Sequence, residues 1–265
     1  LIENSKDELM DVRGRVEEWQ RNVYEGKAGK HRRMTVIEAL NIRSGQSIID
    51  IGCGGGHLLK ELGMCVGGKG HISGLDNSRQ QLENAKAYCS EYDYIEFIEG
   101  SATDIPCDAE TFDALAAIQT YEYIEAVDPA LKEARRVLKL GCPIAIVSIL
   151  WDHCRFYGAD EALNQTIFDA FKAHCFHQML PMELSHLLPD SGFGSITRQN
   201  LSYIETTLHA GMAGFYLSKL MALFATTQGV SDTDAELWLS QLQKADDDGR
   251  FGFVNFPVLT MATAI

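Results

Sequence analysis

From Ser47 to Ile149 the chain alternates short apolar runs with stretches of helical periodicity. The runs are "SIIDI", "GHISGLD", "IEFIEG", "FDALAAI" and "PIAIVSI"; helical spacing covers 57–65, 78–90 and 128–138. Strands separated by crossover helices pair in parallel and carry helices on both faces of one sheet. The runs are nearly uninterrupted in their apolar character, as expected for strands covered on both sides. With 265 residues, 46% of them hydrophobic, the chain has material for one large α/β domain and an elaboration.

The flanks are less regular. Residues 3–40 space apolar side chains as a helix does (Leu9, Val12, Val16 and Trp19, then Met34, Ile37 and Leu40), and "EGKAGKHRR" between the two groups suggests two helices joined by a loop. After the fifth run, helices are expected at 160–175, 181–188, 211–227 and 232–245. "GSITRQNLSYIE" is expected as one strand and "FGFVNFPVLTMATA" as the closing one. The domain plan is an N-terminal helical segment, 1–45, and a main domain, 46–265, with a helical insertion at about 205–250. "KADDDGR" near the end of that insertion suits a solvated loop.

A formal charge of −14 repels a phosphate backbone, which moves nucleic acid down the list of partners and small molecules up. The seven cysteines (Cys53, Cys65, Cys89, Cys107, Cys142, Cys154 and Cys175) are scattered and form no Cys-x-x-Cys pair. They suit small hydrophobes in a reducing, cytoplasmic setting better than a disulfide framework or zinc ribbon. "HCFH" places His174 and His177 on one face of an expected helix, too few donors for a metal, and none is expected. No apolar run is long enough to span a bilayer, and the first residues do not resemble a signal peptide. The first residue is not methionine, which leaves an upstream segment open.

The first apolar run ends in "DIGCGGG", residues 50–56. A dinucleotide fingerprint needs G-x-G-x-x-G, but His57 or Leu59 stands where its third glycine belongs. A phosphate loop needs G-x-x-x-x-G-K-[ST]; "GMCVGGKG" at 63–70 ends in glycine instead and follows a helix. What remains is D-x-G-x-G-x-G. With "GLDNS" after the second run, "GSATDIP" after the third and "RVLKLGCP" before the fifth, the chain resembles the class I S-adenosylmethionine-dependent methyltransferases from about 46 to 150.

That resemblance implies a Rossmann-like, seven-stranded, mostly parallel sheet with its last strand antiparallel, and S-adenosylmethionine as cofactor. Asp50, Gly52, Cys53, Gly54 and Gly56 would hold its amino-acid end, Asp50 engaging the ammonium. Asp76, with Asn77 and Gln81, would take the ribose, and Ser101, Ala102 and Thr103 the adenine, with serine where the family commonly has an acid. Gln119, Tyr24 and Arg32 complete the expected cofactor set, Arg32 or His31 reaching the carboxylate from an N-terminal segment folded over the ligand.

Methyltransferases acting on base or amide nitrogens carry [DNS]-P-P-[YFW] after the fourth strand, and the cytosine C5 type carries Pro-Cys there. This chain reads "AIQTYEY" and resembles instead the small-molecule branch that includes ubiquinone/menaquinone methyltransferases. Transfer from a sulfonium is an in-line displacement that alignment alone accelerates, so a base is optional. If a proton must leave, His153, Tyr121 and Tyr123 are the candidates to take it, with Glu122 and Asp152 beside them. Trp151, His209, Phe215 and Tyr216 are expected to line an N, O or C acceptor. The apolar stretch 209–229 suits core, a homodimer face or a lid over that acceptor. An NAD(P)-dependent oxidoreductase and a non-catalytic S-adenosylmethionine-binding module are the alternatives.

Overall fold

The structure, a computed structural model, describes residues 2–265, with side chains from Gly14 onward. The side chains of Leu9 and Val12 therefore lie outside the described residues. The chain runs through α1 (Ile2–Glu25), α2 (Lys27–Leu40), β1 (Ser47–Ile51), α3 (His57–Val66), β2 (His71–Asp76), α4 (Arg79–Tyr88), β3 (Ile95–Glu99), β4 (Ala114–Ile118), α5 (Val127–Val137) and β5 (Pro143–Ile149). It continues through β6 (Arg155–Tyr157), α6 (Glu161–Phe171), α7 (Leu180–Asp190), β7 (Phe193–Asn200), β8 (Tyr203–Glu205), α8 (Ala213–Thr227), α9 (Asp232–Asp247), β9 (Gly252–Asn255) and β10 (Pro257–Ala264). Among the described residues no helix is long and apolar enough to cross a membrane.

The chain forms two compact units. One comprises Arg32–Asp152, Cys175–Ser202 and Phe256–Ile265. Its seven-stranded sheet has the order β3-β2-β1-β4-β5-β10-β7, in which only β10 is reversed against its neighbours. Both faces are covered. One apolar cluster joins Ile49, Leu115 and Ile146 to α5 and α7, and the other joins Ile48, Ala116 and Val147 to α2, α3 and α4. The parallel strand order turns around between β1 and β4, and open sheets of this kind bind ligands beyond the strands' carboxyl ends at that point.

The other unit comprises the segment up to His31, His153–His174 and Tyr203–Asn255. It holds α1, α6, α8, α9 and the antiparallel sheet β6-β9-β8. At its centre Phe156 stacks on Phe253 at 4.4 Å and meets Trp238 edge-on at 5.3 Å. Buried Asn164 receives the Trp238 Nε1 hydrogen bond (2.9 Å) and donates to the Phe156 carbonyl (2.8 Å). The apolar stripe of α8 (Leu217, Met221, Ala225) is buried, which is the core role its spacing allowed.

Four expectations change. "EGKAGKHRR" is not a loop: only Gly26 separates α1 from α2, because a Cβ on Gly29 would sit 2.1 Å from the Tyr24 carbonyl oxygen and glycine lets the second helix start there. "GSITRQNLSYIE" is two strands in different sheets, broken where the Asn200 side chain accepts from the Ser202 amide (2.8 Å) and turns the chain. "FGFVNFPVLTMATA" likewise divides, into β9 and β10, at Pro257, which has no N–H for a continuous ladder. The helix expected over 160–175 ends at Phe171 and tightens into a 3-10 turn, Lys172–His174, so His174 and His177 share no helix face. Strand β6 was not expected at all.

Candidate functional site

The glycine turn follows β1. The amides of Gly52 and Cys53 both donate to the Leu75 carbonyl (2.7 and 3.0 Å), hooking the turn over the end of β2. Gly52 has φ +72°, and a Cβ there would stand 2.2 Å from Thr120 Oγ1, which itself donates to the Ile51 carbonyl (3.0 Å). Gly54 is also left-handed, φ +51°, but a Cβ on it would meet nothing within 4 Å. Its bare backbone therefore faces open space rather than protein, and Gly56 ends the turn where α3 begins at His57.

Two carboxylates frame this turn. Asp50 is buried, and burial, with neighbouring Asp76 adding to it, holds its carboxyl well above the usual carboxylate range. Asp76 is half-buried at the end of β2. One oxygen accepts from the Gly54 amide and the other from the Ser78 amide, each at 2.9 Å, so both keep lone-pair capacity for a ligand. Ser78 caps α4 through the Gln81 amide, Gln81 is half-buried and Asn77 exposed. Cys53 is buried, and its thiol is pushed far up by that burial. After β3, Ser101 Oγ lies 2.7 Å from Thr103 Oγ1 and accepts from the Thr103 amide (3.1 Å), while Ala102 packs on the core.

Across the switch point, Gln119 is left-handed (φ +52°), donates its amide to Val147 (2.7 Å) and accepts from Arg32 Nη1 (2.6 Å). Arg32 is only 2% exposed, and its Nε and Nη2 have no hydrogen-bond partner. A buried guanidinium with two orphaned donors has the shape and charge to receive a carboxylate. Together with the open space over Gly54 and the free lone pairs of Asp76, these residues fit the amino-acid and ribose parts of S-adenosylmethionine.

Beyond β4, Tyr121 is wholly buried within the core cluster, its hydroxyl without a partner, and burial drives its phenol further up. It packs as a core aromatic, and phenolate formation there is disfavoured. Tyr123 on the same 3-10 turn is exposed. Glu122 between them is buried, and desolvation raises its carboxyl to about 8. Trp151 is buried at the end of β5 and its amide donates to the Gln178 carbonyl (2.8 Å). Tyr24, His153, His209, Phe215 and Tyr216 belong to the other unit, where Tyr24, His153 and His209 are exposed and Phe215 meets Tyr216 edge-on at 5.1 Å. Thr120, which walls off Gly52, went unnoticed in the sequence; the only hint was a polar residue directly after an apolar strand. A cleft of about 410 Å³ lined by His71, Ser73, Glu96 and Cys107 opens at the amino ends of the strands, away from this constellation.

The comparisons agree with the geometry. Residues 42–203 match the family model described as "Methyltransferase domain". The demethylmenaquinone methyltransferase of Staphylococcus epidermidis is 32% identical over 109 residues, 41% of this chain and 45% of that protein. The chloroplastic 2-phytyl-1,4-beta-naphthoquinone methyltransferase of Arabidopsis thaliana is 36% identical over 129 residues, 45% of this chain and 48% of that protein. The chain spans about half the length of the curated relatives it matches. The YcgJ protein of Bacillus subtilis shares the fold, with a TM-score of 0.63 at 15% identity over 89% of this chain and 98% of that one. Matched over more than half its length, and with a glycine turn and acidic strand end that suit the donor, the chain belongs to the methyltransferase-domain family, whose cofactor is S-adenosylmethionine.

Proposed function

We propose that the chain transfers a methyl group from S-adenosylmethionine to the N, O or C atom of a small-molecule acceptor by in-line displacement. The observation that carries this reading is the pairing of Arg32, with its two orphaned donors, and the open-faced backbone of Gly54 on the two sides of one switch point. When bound, the cofactor supplies a methyl group already activated by a sulfonium. The protein's work is then alignment and exclusion of water. Arg32 receives the carboxylate, and Gln119, bonded to Arg32 Nη1, holds the guanidinium in place. Asp50 and the turn Gly52–Gly56, with Cys53 beneath it, hold the ammonium end; Asp76 takes the ribose hydroxyls with Asn77 and Gln81 at the rim; Ser101, Ala102 and Thr103 border the adenine. Within the sheet unit, the part of α2 from Arg32 onward is the portion of the N-terminal segment 1–45 that closes over the donor.

A small acceptor is supported by the formal charge of −14, which disfavours nucleic acid, and by the quinone-methylating names of the relatives. Seven free cysteines suit a reducing cytoplasm. Trp151 and Tyr123 border the acceptor on the sheet unit; the test of a homodimer is the mass in solution.

The test is formation of S-adenosylhomocysteine from labelled donor across a panel of reduced quinones, phenols and amines. Acceptor-dependent turnover is expected; donor binding with no turnover on any acceptor favours a binding module instead.

A further inference from the structure

Among the described residues Glu122 is a buried acid with both carboxyl oxygens unpartnered. It sits in the 3-10 turn Tyr121–Tyr123 directly after β4, and its carbonyl is pinned by the amides of Phe176 (3.0 Å) and His177 (3.2 Å). The side chain is 0% exposed, and neither carboxyl oxygen has a hydrogen-bond partner. Its own amide and that of Ile149, at the end of β5, face the carboxyl and oppose the effect of its burial. Arg32 from α2 and the Cys175 thiol from the segment before α7 are the charged and titratable groups whose fields couple to it. Arg32 and Glu122 are thus a buried cation and a buried carboxyl, each with orphaned atoms, on one side of the same switch point. Unpaired buried polar atoms are costly, and residues persist in that state where a ligand completes them.

The two cannot serve the same part of a ligand. Arg32 suits a carboxylate. Glu122 lies farther along, between the ends of β4 and β5, where the order adenine at β3, ribose at β2 and amino acid at β1 leaves the reacting centre and the acceptor. We infer that the Glu122 carboxyl faces the methyl being transferred and takes the proton of the acceptor, which selects acceptors carrying an N–H or O–H at the methylated atom. This rests on the methyl-donor reading above. In the step, the lone pair of the acceptor heteroatom forms the new bond to carbon as the carbon–sulfur bond breaks. That electron pair stays on sulfur as the neutral thioether, and the acceptor's proton passes to the Glu122 carboxylate and on to water. A carboxyl held at about 8 by burial is a competent proton carrier near neutrality, and a sulfonium beside it favours its ionised form.

The test needs no acceptor. Sinefungin carries an amine at the position of the transferred methyl, whereas S-adenosylhomocysteine has nothing there. By calorimetric titration the wild-type chain should bind sinefungin about tenfold more tightly than S-adenosylhomocysteine, the size of one charge-assisted hydrogen bond. Glu122→Gln should abolish that preference while leaving S-adenosylhomocysteine affinity within about twofold, and Glu122→Asp should restore part of it. A wild-type chain that binds S-adenosylhomocysteine as tightly as sinefungin overturns the inference, whatever the variants do. So does a Glu122→Gln chain that keeps the preference or loses both ligands alike. Failure of the wild type to bind either ligand defeats the methyl-donor reading itself, and the role of Glu122 with it.

Discussion

Gly52 and Gly54 share a left-handed backbone but face different things, Thr120 in one case and open space in the other. Gly52→Ala should therefore lower stability by more than about 3 kcal/mol, from backbone strain and collision with a wedged side chain. Gly54→Ala should cost only about 1 kcal/mol of stability, from strain alone, yet sharply weaken S-adenosylhomocysteine binding. Denaturant unfolding and calorimetry on the pair check both halves. Asp76→Ala should weaken the same binding by about 1.5–3 kcal/mol, and unchanged affinity would show that the ribose lies elsewhere. Glu122 carries a pH signature. Its folded value, about 8, stands above the ordinary 4.5, so between these values the unfolded chain ionises while the folded chain stays protonated. Its contribution is unpenalised below 4.5 and is lost as pH rises through about 8. Glu122→Gln should raise the melting temperature above pH about 8 and change it little near 4.5; equal shifts at both would show that the carboxyl is not desolvated. The glycines and Asp76 were legible because their spacing is local. Arg32 was legible as a basic residue ahead of the first strand, but the bond that holds it, to Gln119, spans 87 residues and is not local.

Among elements, periodicity located α3, α4, α5 and α7 to within a residue or two, because each buries one face against strands on a regular pitch, whereas the start of α2 was hidden in a segment that read as a loop. It could not say which sheet a strand joins. Strands β7 and β8, like β9 and β10, each fall in one apolar stretch of sequence, and only an Asn200 side-chain bond and Pro257 divide them. The second unit is held by contacts just as invisible to local pattern. Asn164 links α6, α9 and β6 through Trp238 and Phe156, so Asn164→Ala leaves a buried indole N–H and a carbonyl unpaired. Its expected cost is about 2–4 kcal/mol in denaturant unfolding. A loss under about 0.5 kcal/mol would mean that the pair is not a determinant of that unit.

At the scale of the whole molecule, the sheet from β1 to β5 was readable because consecutive segments build it in a single regular alternation. The unit of α1, α6, α8 and α9 was not, since it gathers three segments, the first two of them separated by residues 32–152, and no local signal marks them as partners. Its three segments alternate along the sequence with those of the sheet unit. The absence of the third dinucleotide glycine, with Leu59 buried in its place, separates the methyl donor from NAD as the ligand of the glycine turn. The most direct measurement is a calorimetric titration of the wild-type chain with S-adenosylhomocysteine and, separately, with NAD. Saturable one-to-one binding of S-adenosylhomocysteine, with no heat from NAD, is the predicted result; binding of NAD with none of S-adenosylhomocysteine would contradict the account.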